Sequence, residues 1–300
     1  MISVVIPTHN RADLLPRAIE SAQKQTYKDI EIIVVSDGST DDTDSVVEKI
    51  KAEDNRIKYC PYSPGRGGNY ARNYGVEQAG GEYVAFLDDD DEWLPTKLEK
   101  QLNLFEADSN MVLAYTGVNV IYVNEKINYS FIPKDQGDLS RKVLLGNCIG
   151  STSTAMVKKS VFEKSGVFDN DLDALQDFDL WIRVVQHGTV GVVSEELINY
   201  YNYRGTKQVS AVTSKYERAF DYINNKYKDM FASLSEKEAK QKRISEYTLL
   251  GNKAMRNRDG KTARRYYKKL LRTQFSPKHL IFYLLGFTNY ELILRLRNLI

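Results

Sequence analysis

Residues 83–91 read Tyr-Val-Ala-Phe-Leu-Asp-Asp-Asp-Asp, a short apolar run that ends in four consecutive carboxylates. An apolar run of this length without polar alternation predicts a strand that is buried on both faces. In open α/β sheets, ligands bind beyond the carboxyl ends of the strands. Because four adjacent carboxylates repel one another, their crowding favours a site for a divalent cation, which prefers oxygen ligands. The alternative is an acidic, solvated loop, in which Asp91 and Glu92 only favour the N-terminal dipole of the next helix.

The rest of the first half predicts further strands of the same kind, each followed by a helix. Strands that alternate with helices of ten to fifteen residues indicate an α/β fold with a mostly parallel sheet covered by helices on both faces. After residue 139 the pattern is mixed, and beyond residue 215 it is helical throughout. The predicted strands are 2–6, 30–35, 56–60, 83–87, two more within 111–131, 153–157, 190–193 and 197–203, and the predicted helices are 12–25, 41–52, 68–78, 93–105, 139–145 and 178–187.

The C-terminal part of the chain is strongly basic, whereas the rest is acidic. Residues 251–300 contain twelve Lys or Arg against Asp259 and Glu291. Since the whole chain has a formal net charge of +2 and this segment carries +10, the remainder carries about −8. We place a boundary at 210–215, with an α/β domain over 1–212 and a helical basic region over 213–300. Such a basic tail predicts contact with an anionic partner, such as a membrane surface or a polyanion.

Composition and termini indicate a cytosolic protein. Cys60 and Cys148 have neither metal-type nor redox-type spacing, so we expect two reduced thiols. The β-branched opening after Met1 does not fit a signal peptide. A membrane-spanning helix is not expected, because the sequence contains no run of about eighteen apolar residues. A nucleic acid is not predicted as a partner, because no motif that reads DNA or RNA accompanies the basic tail.

Two other segments follow the ends of predicted strands, as the acidic run does. Residues 7–11 follow the first strand and Asp37 follows the second, so both are candidates for ligand contacts. The glycine-rich stretch 65–68 opens a helix, where backbone amides can approach a phosphate. A flexible turn is the alternative for this stretch, because it does not match the dinucleotide-binding pattern.

Six segments, taken together, resemble the inverting family 2 glycosyltransferases with the GT-A fold, of the type that builds bacterial surface polysaccharides. They occur in the same order and spacing over about residues 1–205. The segments are VVIPTHNR at 4–11, VVSDGSTD at 34–41, ARNYG at 71–75, GEYVAFLDDDDEW at 81–93, GVFD at 166–169 and QDFDLWIR at 176–183.

This resemblance implies a metal-dependent inverting transfer of a sugar from a nucleotide-sugar, expected to be a UDP-sugar, to a hydroxyl of a saccharide or lipid-linked saccharide. Mn²⁺ or Mg²⁺ is the implied cofactor. The general base would be Asp177 and the metal ligand Asp90. The other matching positions are Pro7, Thr8, Arg11, Asp37, Arg72, Asp88 and Asp89 for the donor, and Ser151, Asp179 and Trp181 for the acceptor region.

Some positions depart from the family pattern or have a second interpretation. Asp177 is also placed to cap the helix predicted from residue 178. Gln176 replaces the usual glutamate before the base, and Gly205 and Thr206 occupy a region where many relatives carry a histidine. A third protein ligand for the metal therefore stays open.

The basic tail and the activity each have alternatives. Bulky apolar residues beside basic ones fit an amphipathic helix on the inner face of the plasma membrane, over 263–271, 280–285 and 292–300. A helical subdomain that packs on the catalytic core or on a second copy of the chain, giving a homo-oligomer, is the other interpretation. A nucleotidyltransferase would need an Arg-containing glycine-rich loop after the first strand, which residues 8–11 do not provide. A non-catalytic nucleotide- or sugar-binding protein on the same fold is the remaining alternative.

Overall fold

The computed structural model describes residues 1–203 and 212–287. Within these residues, nine strands and eleven α-helices follow one another in an α/β order that becomes purely helical after the last strand. The strands are β1 (Ile2–Thr8), β2 (Ile30–Asp37), β3 (Ile57–Tyr62), β4 (Tyr83–Phe86), β5 (Glu92–Trp93), β6 (Met111–Tyr122), β7 (Ile127–Phe131), β8 (Ala155–Lys158) and β9 (Thr189–Asn202). The helices are α1 (Leu15–Gln23), α2 (Thr43–Glu53), α3 (Gly68–Gln78), α4 (Lys97–Ala107), α5 (Phe162–Ser165), α6 (Gln176–Val184), α7 (Thr213–Lys226), α8 (Lys228–Ala232), α9 (Glu236–Arg256), α10 (Gly260–Thr273) and α11 (Pro277–Leu285).

The strands form one mixed sheet in the order β3-β2-β1-β4-β8-β6-β9-β5, and β7 pairs with β6 outside this path. The half made of β3, β2, β1 and β4 is parallel throughout. β8 runs antiparallel between β4 and β6, whereas β6 and β9 are parallel. The predicted fold class, a mixed and mostly parallel sheet between helices with a helical C-terminal region, is therefore confirmed.

The sheet separates two hydrophobic cores because successive side chains of a strand point to opposite faces. In β1, Val4 and Ile6 pack with α1, α2 and α4, whereas Val5 packs on the other face with α3, α6 and α7. All seven residues of β1 are buried. This two-sided burial explains the apolar runs without polar alternation.

Three predicted parts of the secondary structure differ from the structure, and strand pairing with β9 accounts for the first. The helix predicted from residue 93 begins at Lys97, since Glu92 and Trp93 pair with Asn199 and Ile198. The strands predicted at 190–193 and 197–203 are one strand, β9. Its register against β6 shifts between Val193 and Glu196, where the apolar pattern is interrupted. Of the helix predicted at 139–145, only a 3₁₀ turn at Val143–Leu145 forms.

The helices after β9 pack on the sheet domain rather than standing apart from it. The apolar face of α7, Leu250 of α9 and Tyr266 of α10 join the core that contains α3 and α6. A smaller apolar cluster holds α9 against α10. The helical pattern predicted beyond residue 215 is confirmed up to Leu285, whereas the predicted segment 292–300 lies outside the described residues. The division at residue 212 stays a prediction.

Two further expectations concern thiols and membrane spans. Cys60 and Cys148 are both free, as predicted. In the described ranges, none of the helices combines the length and the apolarity that crossing a bilayer requires.

The close approach of α3 to β1 yields a prediction about stability. A Cβ atom at Gly75 would lie 2.3 Å from Cγ1 of Val5. We expect Gly75→Ala to lower the free energy of unfolding by about 1–3 kcal/mol, because overpacking outweighs the gain in helix propensity of about 0.5–1 kcal/mol. Urea denaturation measures the change. Glu77→Ala, at an exposed position of the same helix, is the control; a Gly75→Ala protein as stable as this control would contradict the packing argument.

Candidate active site

A cleft of about 1340 Å³ opens at the carboxyl ends of β1, β2 and β4. Its other walls come from the start of α6, the β6–β7 hairpin and one face of α9. This volume exceeds that of a typical site for a single drug-sized ligand, so it has room for two substrates. The sequence-predicted site residues that line this cleft are Pro7, Thr8, Arg11, Asp37, Arg72, Asp88, Asp89, Asp90, Ser151 and Asp177.

Asp37 closes one end of the cleft and anchors the glycine-rich loop. Its carboxylate accepts hydrogen bonds from the backbone amides of Arg66 at 2.5 Å and Gly67 at 2.8 Å. A Cβ atom at Gly65 would lie 2.8 Å from the carbonyl oxygen of Asp37, so the loop needs glycine at this approach. The loop is therefore held by a carboxylate rather than left as a flexible turn, a link that sequence reasoning missed.

Asp88 is held by side chains from two other elements. The Arg72 guanidinium on α3 donates a hydrogen bond to it at 2.6 Å. The Thr152 hydroxyl lies 3.1 Å from both carboxylate oxygens. The side chain keeps about a quarter of its exposure, 24%, and faces the cleft. Asp88 is thus neutralised on one side and accessible to a ligand on the other.

Asp89 and Asp90 share the positive charge of Arg11. Nη1 of Arg11 lies 2.9 Å from Asp90 and 3.4 Å from Asp89. Burial raises the pKa of Asp89 to about 7, against the opposing effect of Arg11. The Arg17 guanidinium also donates to the backbone oxygen of Asp90 at 2.6 Å. Two arginines therefore position the end of the acidic run.

Asp91 faces the protein interior. Its side chain is fully buried and accepts a hydrogen bond from the Ser153 hydroxyl at 2.6 Å. Burial, together with the charges of Asp90 and Asp88, raises its pKa well above the usual range. The acidic run is therefore a partly buried, partnered cluster, and the alternative of a solvated loop is wrong.

Asp177 enters the cleft from the first turn of α6. The helix begins at Gln176, after Leu175 in a left-handed conformation, so Asp177 lies inside the helix and is not its cap. Its carboxylate accepts hydrogen bonds from the Phe178 amide at 2.7 Å and, more weakly, from Asn147 at 3.4 Å. Burial raises the pKa of Asp177 to about 6. A carboxylate with this pKa can accept a proton near neutral pH.

Two residues predicted for the acceptor region do not reach the cleft. Trp181 is fully buried, and its indole donates to the Gly150 carbonyl at 3.0 Å. Asp179 is also fully buried, because it pairs with Arg183 at 2.7 Å and Lys226 at 2.8 Å. Trp181 therefore ties α6 to the loop at Gly150, and Asp179 ties it to α7. Gly205 and Thr206, the positions of the open third ligand, lie outside the described residues.

The structure adds cleft residues that the sequence did not indicate. The β6–β7 hairpin contributes aromatic side chains, and α9 contributes a polar and basic face. No short motif marks either set, because each reaches the cleft through long-range packing. These residues include Val120, Tyr122, Tyr129 and Phe131 of the hairpin and Gln241, Asn252, Lys253 and Arg256 of α9.

The acidic cluster can supply only part of the ligands of a divalent cation. Within residues 1–203 and 212–287, no group of three or more His, Cys, Asp or Glu side chains is arranged to hold a metal ion. Asp88 and Asp90 nevertheless present hard oxygen donors to the cleft. Mg²⁺ is commonly bound by one or two carboxylates together with substrate phosphates and water. The donor set fits a cation that is completed by a bound diphosphate, not an all-protein site.

Curated proteins align with most of the α/β part of this chain. An uncharacterized glycosyltransferase of Rickettsia typhi is 35% identical over 205 residues, which are 66% of this chain and 63% of the relative. The UDP-Glc:alpha-D-GlcNAc-diphosphoundecaprenol beta-1,3-glucosyltransferase WfaP of Escherichia coli is 29% identical over 203 residues, 67% of this chain and 76% of that protein. The chain thus spans less than two thirds of the length of the first of these relatives.

A solved structure and a family model agree with this similarity. The mannosyltransferase PcManGT from Pyrobaculum calidifontis, in complex with GDP-Man and Mn²⁺, superposes with a TM-score of 0.62 at 15% identity. The superposition covers 99% of this chain and 86% of that one. It shows a shared fold, the GT-A fold that the motifs predicted. The family model for glycosyl transferase family 2 matches residues 3–166, more than half of the chain, and the chain therefore belongs to glycosyl transferase family 2.

Proposed function

We propose that the protein is a metal-dependent inverting glycosyltransferase, which transfers a sugar from a UDP-sugar to a hydroxyl of a saccharide or lipid-linked saccharide. One observation carries the proposal: Asp37, Asp90 and Asp177 converge on a single cleft that has room for donor and acceptor together. A nucleotide-binding protein without activity would not need a carboxylate with a raised pKa in the same cleft as the acidic cluster.

The donor is assigned to the side of the cleft formed by β1, β2 and β4. Asp37 would accept a hydrogen bond from the nucleobase of the donor, with Pro7 and Thr8 beside the nucleoside. Arg72 and Arg11, already held by Asp88 and Asp90, would lie near the diphosphate. A UDP-sugar is favoured because the Escherichia coli relative is named for UDP-Glc, whereas the superposed mannosyltransferase holds GDP-Man.

The reaction is a single displacement at the anomeric carbon. The acceptor oxygen attacks this carbon while its proton passes to the Asp177 carboxylate. The bond between the anomeric carbon and the diphosphate oxygen breaks, and UDP leaves with the electron pair. Attack from the side opposite the leaving group inverts the configuration. Holding donor and acceptor in one cleft supplies a large part of the acceleration, because it removes the entropy cost of bringing them together.

Asp90 is the residue proposed to hold Mn²⁺ or Mg²⁺, with Asp88 beside the ribose or sugar. A divalent cation held there would stabilise the charge that develops on the departing diphosphate. Arg11 contributes positive charge to the same place, at 2.9 Å from Asp90. The Mn²⁺ bound in the superposed mannosyltransferase supports a divalent cation here.

The acceptor is proposed to lie between Asp177, Ser151 and the face of α9. Surface polysaccharide synthesis on a lipid carrier is the setting we favour, because the Escherichia coli relative is named for a diphosphoundecaprenol-linked acceptor. This setting would place the protein in the cytoplasm, at the inner face of the plasma membrane.

A ligand panel tests the donor assignment first. We expect one UDP-sugar with Mn²⁺ to raise the melting temperature, because a ligand at about a hundred times its Kd adds roughly 2.7 kcal/mol to stability. Each nucleotide and nucleotide sugar is measured by thermal melting with and without the metal. Absence of a shift with every nucleotide would overturn the donor site and favour a non-catalytic role.

The base assignment predicts the effect of removing one carboxylate. Asp177→Asn should lower kcat by about a hundredfold or more, since general base catalysis contributes at least this factor. UDP affinity should be unchanged. Asp171→Asn, at an exposed position before α6, is the control. A turnover near that of the unsubstituted protein would refute the assignment.

The same assignment predicts the pH profile. Transfer should decline as the pH falls through about 6, because protonation of Asp177 removes the base. The position of this limb also reflects Asp88, which raises the pKa of Asp177, and Lys253 and Arg72, which lower it.

The metal assignment predicts a change in metal titration. Asp90→Ala should abolish the increase in UDP affinity that Mn²⁺ produces, measured by calorimetry with and without the ion. Loss of Asp90 leaves Arg11 paired with Asp89 alone and more available to diphosphate, so metal dependence is more diagnostic than affinity alone. Glu77→Ala serves as the control, and a metal titration identical to the control's would argue against Asp90 as a ligand.

A further inference from the structure

Lys253 places an amine in the cleft wall, and no carboxylate of the described residues forms an ion pair with it. The residue lies on α9 and lines the same cleft as Asp177. Its ammonium lies 4.7 Å from the centre of the Tyr216 ring. Within residues 1–203 and 212–287, no carboxylate oxygen lies within 4.0 Å of Nζ of Lys253, the limit for an ion pair. A desolvated cation is unfavourable unless an anion accompanies it.

The electrostatics of this wall support the same interpretation. Burial, together with the nearby Arg256 charge, lowers the pKa of Lys253 to about 7, whereas Asp177 opposes this effect. Arg256 follows three residues later, so both side chains lie on one face of the helix and line the cleft. An anion at this face would therefore raise the pKa of Lys253 and restore its charge.

Lys242, another lysine of α9, has its charge neutralised by the protein itself. Lys242 lines the cleft as well, but it pairs with Glu246 on the same helix and with Asn224 of α7. Its charge is satisfied within the fold. Among the residues that the structure describes, Lys253 has no comparable acidic partner, so a substrate anion beside Asp177 would supply the negative charge that the protein does not.

We propose that Lys253 and Arg256 form a subsite for the diphosphate of a lipid-linked acceptor. This inference rests on the function proposed above. The donor diphosphate has its own proposed partners, since Arg11 and Arg72 lie beside Asp90 and Asp88 after β4. Lys253 and Arg72 both interact electrostatically with the proposed base, Asp177, but Arg72 is already paired with Asp88, whereas no carboxylate of the described residues pairs with Lys253.

The test measures binding of decyl diphosphate to protein that is saturated with UDP and Mn²⁺, by calorimetry below the micellar concentration. Saturation blocks the donor site, so the remaining binding reports the second subsite. We expect Lys253→Met to weaken this binding at least tenfold, as the loss of a charge-assisted hydrogen bond does. Lys253→Arg, which retains the charge, should bind within about threefold of the unsubstituted protein.

Three controls isolate the contribution of the Lys253 charge to lipid diphosphate binding. Lys240→Met removes an exposed cation from the same helix and should leave decyl diphosphate binding unchanged. The UDP affinity of every variant should stay within twofold of the unsubstituted protein. Inorganic pyrophosphate should bind more weakly than decyl diphosphate, because it lacks the lipid chain. Thermal melting confirms that Lys253→Met folds, since methionine keeps the apolar stem against Tyr216.

Each contrary outcome overturns a defined part of the proposal. If decyl diphosphate does not bind the UDP-saturated protein, or Lys253→Met binds it normally, the subsite does not exist and Lys253 is a structural cation. If Lys253→Met weakens UDP instead, the cation serves the donor. If pyrophosphate binds as tightly as decyl diphosphate, the ligand is free diphosphate and not a lipid-linked acceptor. Failure of UDP to bind the unsubstituted protein would instead refute the proposed function itself.

Discussion

Four carboxylates follow one buried strand, and their mutual repulsion is the constraint around which the cleft is organised. Like charges this close are tolerated only when each has a partner. Arg72 from α3 holds Asp88, and Arg11 from the segment after β1 holds Asp90. Asp91 turns inward to the Ser153 hydroxyl. Neutralising the acidic run therefore ties together β1, α3 and the turn before β8, and it leaves carboxylate oxygens facing the cleft.

The second half of the site depends on a different charge, Asp179. It lies on the same helix as Asp177, two residues later, but points away from the cleft into a network with Lys226, the last residue of α7, and Tyr227, which follows it. This network fixes the first turn of α6 and so determines where Asp177 points. The helices that follow the sheet are thus needed to position the proposed base, although none of them carries a recognised motif.

The parts that sequence predicted are those that depend on local pattern. Continuous apolar runs located β1 and β2 within about two residues, since two-sided burial leaves a direct signature. The short strand containing Trp93 was missed because it exists only through pairing with β9, about a hundred residues away. Trp181 was assigned to the acceptor region because a motif gives the order of residues on a helix but not which face meets the ligand. The cleft face of α9 depends on long-range packing and has no sequence signature.

The net charge of the basic tail does not say where each of its cations lies. Its positive charge predicted an anionic partner outside the protein, and most of the described cations after residue 250 are exposed, whereas a few turn inward. Lys253 and Arg256 line the cleft, and Arg264 donates to the Gly286 carbonyl. Membrane contact stays a prediction, and it would have to come from the exposed cations of the tail. On the proposed function, the two parts of the chain have different roles: the acidic cluster suits a cation-bridged donor, and the basic residues of α9 suit an acceptor that is itself an anion.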